Sequence, residues 1–280
     1  AESKDIQKRD LKLTGFQGEH GAYSEAALIA YDNSLVPIPC KEFYDVFYEV
    51  ISGQLDLGIV PVENSLEGPV TQVNDLLIET DLKIVGEVRL PIQHCLLALP
   101  ETEYRDLKIV YSHPQALGQC RGFIERHKLE PKSYYDTAGA ARMLSETRPN
   151  AACVIANRLC SELYGLEIIQ DNVEDHNSNS TRFVVLAREN DVDSQGDKCS
   201  IIYSLKDEAG ALFSILKVFS DHDINLTRIE SKPNRSDPHN YVFFTDIEGS
   251  IGDDKVAAAL DEIRKNVTSY KFCGCYKAFR

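Results

Sequence analysis

The chain has 280 residues, 43% of them hydrophobic and 26% charged, which is ordinary for a globular protein of roughly two domains. A formal net charge of -14 argues against nucleic acid and anionic membranes as partners, although a local pocket can still accept a small anion. No apolar run approaches ~18 residues, so no membrane span is predicted. Residues 1–12 are charged and show no signal peptide, which favours a cytoplasmic location.

The eight cysteines are scattered along the chain, and no CxxC pair occurs among them. Structural zinc sites need closely spaced cysteine or histidine pairs. The cysteine spacing therefore predicts no metal site, and it favours a reducing compartment.

Strand and helix patterns alternate through the first two thirds of the chain. We predict strands at 11–16, 57–60, 83–88, 92–99, 109–111, 134–135, 151–155 and 183–186, a short edge segment at 37–39, and helices at 22–31, 43–52, 70–78, 113–124 and 158–164, with a further helix after Asp136 capped by Asp136 or Thr137. This alternation predicts an α/β domain of two lobes.

Three turns in this region combine polar side chains with a strand end. Residues 17–21 form a glycine-rich turn before a helix, residues 61–68 follow a buried strand, and residues 112–117 join the end of a strand to the start of a helix. Such junctions can present N–H groups to an anion, but ordinary turns use the same residues. A lone histidine at 94, beside apolar residues, is interpreted as structural.

The stretch from Asp175 to Phe183 is a polar run that turns abruptly apolar, which predicts a loop entering a buried strand. Thr181 offers a neutral donor and Arg182 a positive fork beside it. A turn with a cap is the alternative interpretation.

The pattern changes after a polar segment at 189–198, whose composition is typical of a linker. Beyond it we predict strands at 200–205, 224–229, 241–247 and 269–279, with helices beginning at Gly210 and spanning 256–267. The order βαββαβ is the ferredoxin-like α+β arrangement.

Four spaced motifs together resemble the prephenate dehydratase family, whose plant members are arogenate dehydratases. They are residues 15–25 (GFQGEHGAYSE), 61–68 (PVENSLEG), 112–117 (SHPQAL) and 181–183 (TRF). The second domain resembles an ACT domain through residues 210–212 (GAL) and 230–233 (ESKP).

The resemblance implies a two-lobed catalytic domain over 13–188, similar to periplasmic binding proteins. Lobe 1 would comprise about 13–90 and 170–188, and lobe 2 about 91–169. A linker at 189–198 and an ACT regulatory domain at 199–280 would follow. It also implies a homodimer or homotetramer that needs no cofactor or metal.

The implied reaction converts prephenate to phenylpyruvate, a carbon–oxygen lyase reaction in phenylalanine biosynthesis. The resemblance assigns catalysis to Thr181, Arg182, Phe183 and His113, and substrate binding to Gly18, Tyr23, Ser24, Asn64, Ser65, Ser112 and Gln115. Thr181 would donate a hydrogen bond to the departing oxygen rather than act as a strong acid, and His113 is the alternative general acid.

The ACT resemblance implies inhibition by phenylalanine, bound by Gly210, Ala211, Leu212, Glu230 and Ser231. Two positions depart from the family pattern, because Ala209 replaces a proline and Lys232 an arginine. Lysine keeps the charge but lacks the planar fork.

Two alternatives to a prephenate dehydratase stay open. Arogenate carries an amino group where prephenate has a keto group, and a preference for it would suggest a plastid stroma. A solute-binding or sensor protein would also use two α/β lobes beside a ligand-sensing domain.

Overall fold

The computed structural model describes residues 11–188, 196–234, 237 and 240–279. Its helices are α1 Tyr23–Tyr31, α2 Phe43–Ser52, α3 Thr71–Glu79, α4 Pro114–Gln119, α5 Arg121–Arg126, α6 Thr137–Thr147, α7 Leu159–Tyr164, α8 Ala211–Asp221 and α9 Asp254–Asn266. Its strands are β1 Leu13–Gln17, β2 Val36–Cys40, β3 Leu57–Asn64, β4 Gly68–Pro69, β5 Lys83–Pro91, β6 Cys95–Ala98, β7 Ile109–Ser112, β8 Glu130–Ser133, β9 Ala152–Ala156, β10 Glu167–Gln170, β11 Ser180–Ala187, β12 Lys198–Lys206, β13 Leu226–Pro233, β14 Asn240–Glu248 and β15 Ser269–Tyr276. Within these ranges no helix has both the length and the apolar composition that a membrane span requires.

The chain folds into two compact units. The first contains the residues up to Val73 together with Arg89–Phe183, and the second contains Asn74–Val88 together with the residues from Val184 onward. Most of α3 and the start of β5 therefore belong with the C-terminal part of the chain. The predicted boundaries at 188 and 199 stay predictions.

The first sheet has the order β2-β1-β3-β11-β5, with β4 paired to β3. Strand β1 is parallel to both β2 and β3. The edge position of β2 suits its two prolines, because proline cannot donate to a neighbouring strand. Helix α2 packs on this sheet through Val46, Phe47 and Val50. It begins with a capping box of Glu42 and Asp45.

The second sheet has the order β10-β6-β9-β7-β8 and supplies the other lobe. Strand β7 is parallel to β8 and β9, whereas β6 is antiparallel to β9 and β10. Every residue of β9 is buried, as expected for a strand covered on both faces. Apolar clusters on its two faces pack against α4 with α5, and against α6 with α7.

The third sheet is antiparallel with the order β13-β14-β12-β15. Helices α8 and α9 cover one face, and their apolar residues pack with alternate residues of β12 such as Ile201 and Tyr203. The chain order βαββαβ confirms the predicted ferredoxin-like arrangement.

Several predicted boundaries are wrong, and each error has a local cause. Strand β3 continues through Pro61 to Asn64, because the polar residues pair with β4 in a hairpin. The helix predicted at 113–124 is two helices that meet at Cys120. The strand predicted at 134–135 lies at Glu130–Ser133. The strand at 92–99 is only Cys95–Ala98, with His94 preceding it, and β10 has no predicted counterpart.

Two further strands are of the predicted type but begin earlier than predicted. The polar loop before Phe183 ends early, since β11 begins at Ser180 and includes Thr181 and Arg182. Of the predicted linker, residues 189–195 lie outside the described residues. Lys198 belongs to β12 and is buried.

Lys198 forms a buried ion pair in the second unit. Its Nζ lies 2.9 and 3.1 Å from the two carboxylate oxygens of Glu87, and the two side chains are 9% and 5% exposed. Removing one partner of a buried pair is costlier than replacing both, because the remaining charge stays desolvated.

We expect Lys198→Ala to lower the free energy of unfolding by about 3 kcal/mol, because the Glu87 carboxylate loses this ammonium. The double variant Lys198→Met/Glu87→Leu should recover most of that loss. Urea unfolding of both proteins measures the difference. Equal destabilisation of the single and double variants would contradict this account of the pair.

Candidate active site

A cavity of about 540 Å³ opens in the first unit and is bounded by elements of both sheets. Its lining residues are Gln17, Ala22, Tyr23, Ser24, Phe43, Pro61, Asn64, Glu67, Gly68, Pro69, Val70, Ile92, His94, His113, Gln115, Ala116, Gln119, Tyr135, Asp136, Thr137, Asn179, Thr181 and Phe183. Its volume lies within the range of small-molecule sites.

The start of β11 presents alternate residues to this cavity. Asn179, Thr181 and Phe183 line it, whereas Ser180 and Arg182 do not. Successive strand residues point to opposite faces, so Thr181 and Arg182 cannot act side by side. The Arg182 side chain is 3% exposed and lies 3.7 Å from the carboxylate of Glu63.

The side-chain amide of Asn64 closes the β3–β4 turn through its oxygen and links the hairpin to β11 through its nitrogen. Its Nδ2 donates to Asn179 Oδ1 at 2.7 Å and to Thr181 Oγ1 at 2.9 Å. Its Oδ1 accepts the backbone N–H groups of Leu66 at 2.9 Å and Glu67 at 3.1 Å. Because the amide is bound at both ends, Asn64 holds one orientation.

The hydroxyl of Thr181 is positioned as a donor. Its oxygen accepts from Asn64, which leaves its own hydrogen available to a molecule in the cavity. The side chain is 8% exposed and Phe183 beside it is 2% exposed. A hydrogen bond here is shielded from water, which strengthens it.

A chain of hydrogen bonds crosses the cavity wall from α1 to the hairpin. Tyr23 Oη lies 2.6 Å from His94 Nδ1, and His94 Nε2 lies 2.8 Å from Gln119 Oε1. Gln119 Nε2 then donates to Glu67 Oε1 at 3.0 Å. Burial lowers the pKa of His94 and raises that of Tyr23, so both are neutral near pH 7.

Helix α4 presents its first turn to the cavity. His113 caps it, because its Nδ1 accepts the backbone N–H of Gln115 at 3.3 Å. The accepting nitrogen must be unprotonated, which leaves Nε2 as the nitrogen able to carry a hydrogen. The Gln115 side chain donates to the Glu67 carboxylate.

Asp136 contributes a carboxyl group at the start of α6. Its Oδ1 accepts the backbone N–H of Gly139 at 2.9 Å and caps the helix. Burial raises the pKa of Asp136, although its backbone hydrogen bonds oppose the shift. A carboxyl group with a raised pKa at a cavity wall can hold a proton for acid catalysis.

Neutral donors dominate this cavity. No lysine or arginine is among the residues that line it within the described ranges. Within the same ranges, no three histidine, cysteine or acidic side chains come together as metal ligands. An anion would therefore be held by hydroxyl, amide, imidazole and backbone N–H groups.

Seven predicted site residues line the cavity and four do not. The residues that line it are Tyr23, Ser24, Asn64, His113, Gln115, Thr181 and Phe183. Ser112 is fully buried and donates to the carbonyl of Ile155 at 2.5 Å. Ser65 donates to the carbonyl of Ser178 at 3.1 Å.

Gly18 and Arg182 complete the group outside the cavity lining. Gly18 has φ 114°, a conformation that favours glycine, and its N–H donates to the carbonyl of Cys40 at 2.9 Å. That N–H is therefore already bonded to the end of β2. Arg182 interacts with Glu63 on the face of the strand opposite Thr181.

Several cavity residues are not identified by the sequence patterns. The sequence favours a structural role for His94, and although this side chain is buried and hydrogen-bonded it also lines the cavity. Gln119 lies four residues after Gln115 and so on the same helix face, a spacing that could have indicated it. Asp136 carries no local signal beyond its cap preference, and Glu67, although it lies in the 61–68 motif, carries no signal of a role there.

The residues expected to bind phenylalanine lie at two places in the second unit. Gly210, with φ 85°, precedes Ala211 and Leu212 at the start of α8. Glu230 and Ser231 lie on β13. The Glu230 carboxylate accepts from Asn74 Nδ2 at 3.0 and 3.2 Å and from Arg228 at 2.5 Å.

The buried His94 should make the first unit sensitive to acid. Its pKa is lower in the folded chain than the value near 6.5 of an unfolded histidine. The unfolded chain therefore takes up a proton that the folded chain refuses, and the free energy of unfolding falls as pH drops below about 6.5.

We expect the stability difference between wild type and His94→Gln to shrink by about 1 kcal/mol from pH 7.5 to pH 5. Urea unfolding at both pH values measures it. His222→Gln is the control, because that side chain is 27% exposed and lies in the other unit. A constant difference for His94→Gln would contradict the inferred burial of a neutral imidazole.

Comparison with known proteins gives two family matches. Residues 14–191 match the prephenate dehydratase model, and residues 200–265 match the ACT domain model. The dehydratase model covers more than half of the chain.

Proteins that align with most of the chain are named as prephenate or arogenate dehydratases. An arogenate dehydratase/prephenate dehydratase of Arabidopsis thaliana is 39% identical over 93% of this chain and 71% of its own length. The prephenate dehydratase of Methanocaldococcus jannaschii is 36% identical over 92% of this chain and 96% of its own length.

Solved structures show the same fold. A chain described as GqqA, a novel type of quorum quenching acylase, superposes with a TM-score of 0.88 at 33% identity, covering 96% of this chain and 98% of that chain. The prephenate dehydratase of Arthrobacter aurescens in complex with L-Phe gives a TM-score of 0.86 at 30% identity, covering 95% and 90%. The motifs, the fold and these matches agree, and the chain belongs to the prephenate dehydratase family, with a C-terminal ACT domain.

Proposed function

We propose that the cavity converts prephenate to phenylpyruvate, carbon dioxide and water. The observation that carries this proposal is the Asn64–Thr181 hydrogen bond, which leaves a shielded hydroxyl hydrogen facing a cavity of substrate size. Family membership supports the same carbon–oxygen lyase chemistry and favours it over the solute-binding alternative.

The reaction needs help mainly at the departing hydroxyl. The bond between the ring and its carboxylate breaks, and its electron pair moves through the ring and expels the hydroxyl group on the opposite carbon. The carboxylate leaves as carbon dioxide, and the departing oxygen takes up one proton to become water. Thr181 donates a hydrogen bond that strengthens as negative charge grows on that oxygen.

Phe183 gives the cavity an apolar surface beside Thr181. Loss of carbon dioxide spreads the charge of a carboxylate, so a site that excludes water favours the step. Tyr23, Ser24, Asn64 and Gln115 would orient the substrate, and holding it near the reactive geometry lowers the barrier further. Arg182 would act indirectly, by holding Glu63 on the far side of β11.

The proton for the departing oxygen has two candidate sources. His113 lies at the cavity and its sequence motif suggests it as a general acid, a role that requires the imidazolium form and so costs the Nδ1 cap of α4. Asp136 lies at the same cavity, and burial raises its pKa. Either group could deliver a proton while Thr181 stabilises the charge.

Arogenate is the second candidate substrate, and one observation favours it. The carboxylates of Glu67 and Asp136 line the cavity, and either could pair with the ammonium group that distinguishes arogenate from prephenate. The Arabidopsis relative carries both names. A chloroplastic relative also makes the plastid stroma the alternative to our proposed cytoplasmic location.

Phenylalanine is the proposed inhibitor, bound by the ACT domain at Gly210, Ala211, Leu212, Glu230 and Ser231. A related dehydratase was solved in complex with L-Phe. The N–H groups at the start of α8 suit a carboxylate. Binding would favour a less active state of the enzyme.

A homodimer or homotetramer is the proposed assembly. Phe213 on α8 is 68% exposed and Ile229 on β13 is 47% exposed, so the second unit presents large apolar side chains to solvent. Contact between subunits would cover such surfaces.

Replacing the Thr181 hydroxyl should test the catalytic proposal. We expect Thr181→Val to lower kcat by about 100-fold or more with KM little changed, because a transition-state donor is lost. Thr181→Ser keeps the hydroxyl and should retain most of the activity. Initial rates of phenylpyruvate formation give both values, and a Thr181→Val enzyme with near wild-type kcat would remove Thr181 from the mechanism.

Gly210 should be a point of phenylalanine control. Its φ of 85° strains any residue with a Cβ, so Gly210→Ala should displace the first turn of α8. We expect the phenylalanine concentration for half inhibition to rise about tenfold, while uninhibited kcat stays close to wild type.

Gly252→Ala is the matched control, because its Cβ would meet only Ser250 Oγ at 3.5 Å. Inhibition curves for the three proteins measure the shift. An unchanged curve for Gly210→Ala would argue against this binding site.

A further inference from the structure

Two glutamine side chains on α4 converge on a single carboxylate. Gln119 Nε2 donates to Glu67 Oε1 at 3.0 Å, and Gln115 Nε2 donates to Glu67 Oε2. The two glutamines are four residues apart and therefore share one face of the helix. Two amide donors on the two oxygens of one carboxylate form a bidentate arrangement.

Hydrogen bonds to His94 and, through it, to Tyr23 set the orientation of the Gln119 amide. Its Oε1 lies 2.8 Å from Nε2 of His94, which is 2% exposed, and His94 Nδ1 lies 2.6 Å from Tyr23 Oη. When Tyr23 donates to Nδ1, Nε2 carries the hydrogen and Gln119 must turn its NH₂ group toward Glu67.

The Glu67 carboxylate disfavours the opposite donor direction along the hydrogen bonds of Tyr23, His94 and Gln119. Tyr23 Oη also lies 2.8 Å from the carbonyl of Gln93, so its hydrogen could go there instead. His94 would then donate from Nδ1 and accept at Nε2, which turns the Gln119 carbonyl oxygen toward the Glu67 carboxylate. Two acceptors would face each other, so the amide is held as a carboxylate donor.

Glu67 lies at the tip of the β3–β4 hairpin and is exposed. Its bonds to the two glutamines are therefore made at the rim of the cavity, where water competes for them. A carboxylate on an incoming molecule could displace Glu67 at little cost. The cavity lining lacks lysine and arginine among the described residues, so a carboxylate must be received by neutral donors such as these two amides.

We propose that Gln115 and Gln119 form a carboxylate subsite of the cavity, and that Glu67 occupies it as an internal competitor until a carboxylate ligand enters. The assignment of this ligand as the substrate rests on the proposed function. At this subsite Tyr23 and His94 are positioning residues, because they act on the bound carboxylate through Gln119.

Displacement of Glu67 has a direct route to Thr181. The backbone N–H of Glu67 donates to Asn64 Oδ1, and Asn64 Nδ2 donates to Thr181. A ligand that moves the hairpin tip therefore changes the contacts of the residue that holds the Thr181 hydroxyl. Binding of the substrate carboxylate and placement of the catalytic donor are linked through one side chain.

Removing the internal competitor should tighten the binding of carboxylate ligands. We expect Glu67→Ala to lower the Kd of phenylpyruvate about tenfold, the change that one hydrogen bond to a charged group can produce. Gln119→Leu should raise that Kd, and Glu67→Ala/Gln119→Leu should show little of the gain. Titration calorimetry on the whole two-unit chain measures all four proteins without needing turnover.

Glu125→Ala is the charge control, because it removes an equally negative side chain that is 63% exposed on α5. Equal gains for Glu67→Ala and Glu125→Ala would reduce the effect to net charge and overturn the subsite. Unchanged or weaker binding by Glu67→Ala, or no binding by any variant, would also overturn it.

Turnover separates this inference from the proposed function. If Glu67→Ala tightens phenylpyruvate binding but the wild type converts neither prephenate nor arogenate, the subsite stands and the proposed reaction fails. If the wild type converts prephenate while Glu67→Ala gives no gain in binding, the reaction stands and the subsite fails.

Discussion

The four hydrogen bonds of Asn64 are the constraint on which the candidate site depends. One amide oxygen closes the turn at Leu66 and Glu67, and one amide nitrogen binds Asn179 and Thr181. The hairpin that carries Glu67 and the strand that carries Thr181 are therefore held in one register. An aspartate here could not donate to Thr181, and a leucine could not close the turn, so only an amide of this length serves both contacts.

Anion recognition in this cavity relies on dipoles rather than on full positive charges. The chain has a net charge of -14, and the cavity wall in the described residues contains histidines, amides and hydroxyls but no lysine or arginine. Neutral donors bind a dianion less tightly than cations would, and they leave fewer charges to desolvate. Such a wall suits a reaction in which prephenate loses one of its two carboxylates, because a product with less charge is released more easily.

Much of the fold could be predicted from the sequence, because helix and strand periodicities are local properties. Helix α2 has the bounds that its apolar stripe predicts, and the βαββαβ order around the third sheet follows from a clear polar break before it. The start of β11 could not be predicted, because Ser180 and Thr181 are residue types typical of loops. They belong to the strand only because the folded chain pairs them with a neighbouring strand. That error places Arg182 beside Thr181 in the expected chemistry, whereas strand geometry puts it on the other face.

The site could be predicted only where a motif marks it. Thr181, Asn64 and His113 stand in recognisable motifs that suggest their roles, whereas Glu67, although it lies in the 61–68 motif, gains its role from distant contacts, as His94 and Asp136 do. Glu67 and Gln119 are 52 positions apart, and Tyr23 and His94 are 71 positions apart. No local pattern carries such pairings, since they depend on how the two sheets approach each other within the first unit.

Turnover of the two candidate substrates tests the dehydratase assignment of this cavity most directly. Purified protein would be incubated with prephenate and, separately, with arogenate, while phenylpyruvate, phenylalanine and carbon dioxide are followed. We expect faster turnover of prephenate, with one carbon dioxide released for each phenylpyruvate. Faster release of phenylalanine from arogenate would support the alternative substrate. Turnover of neither compound would contradict the claim that this cavity is a dehydratase active site.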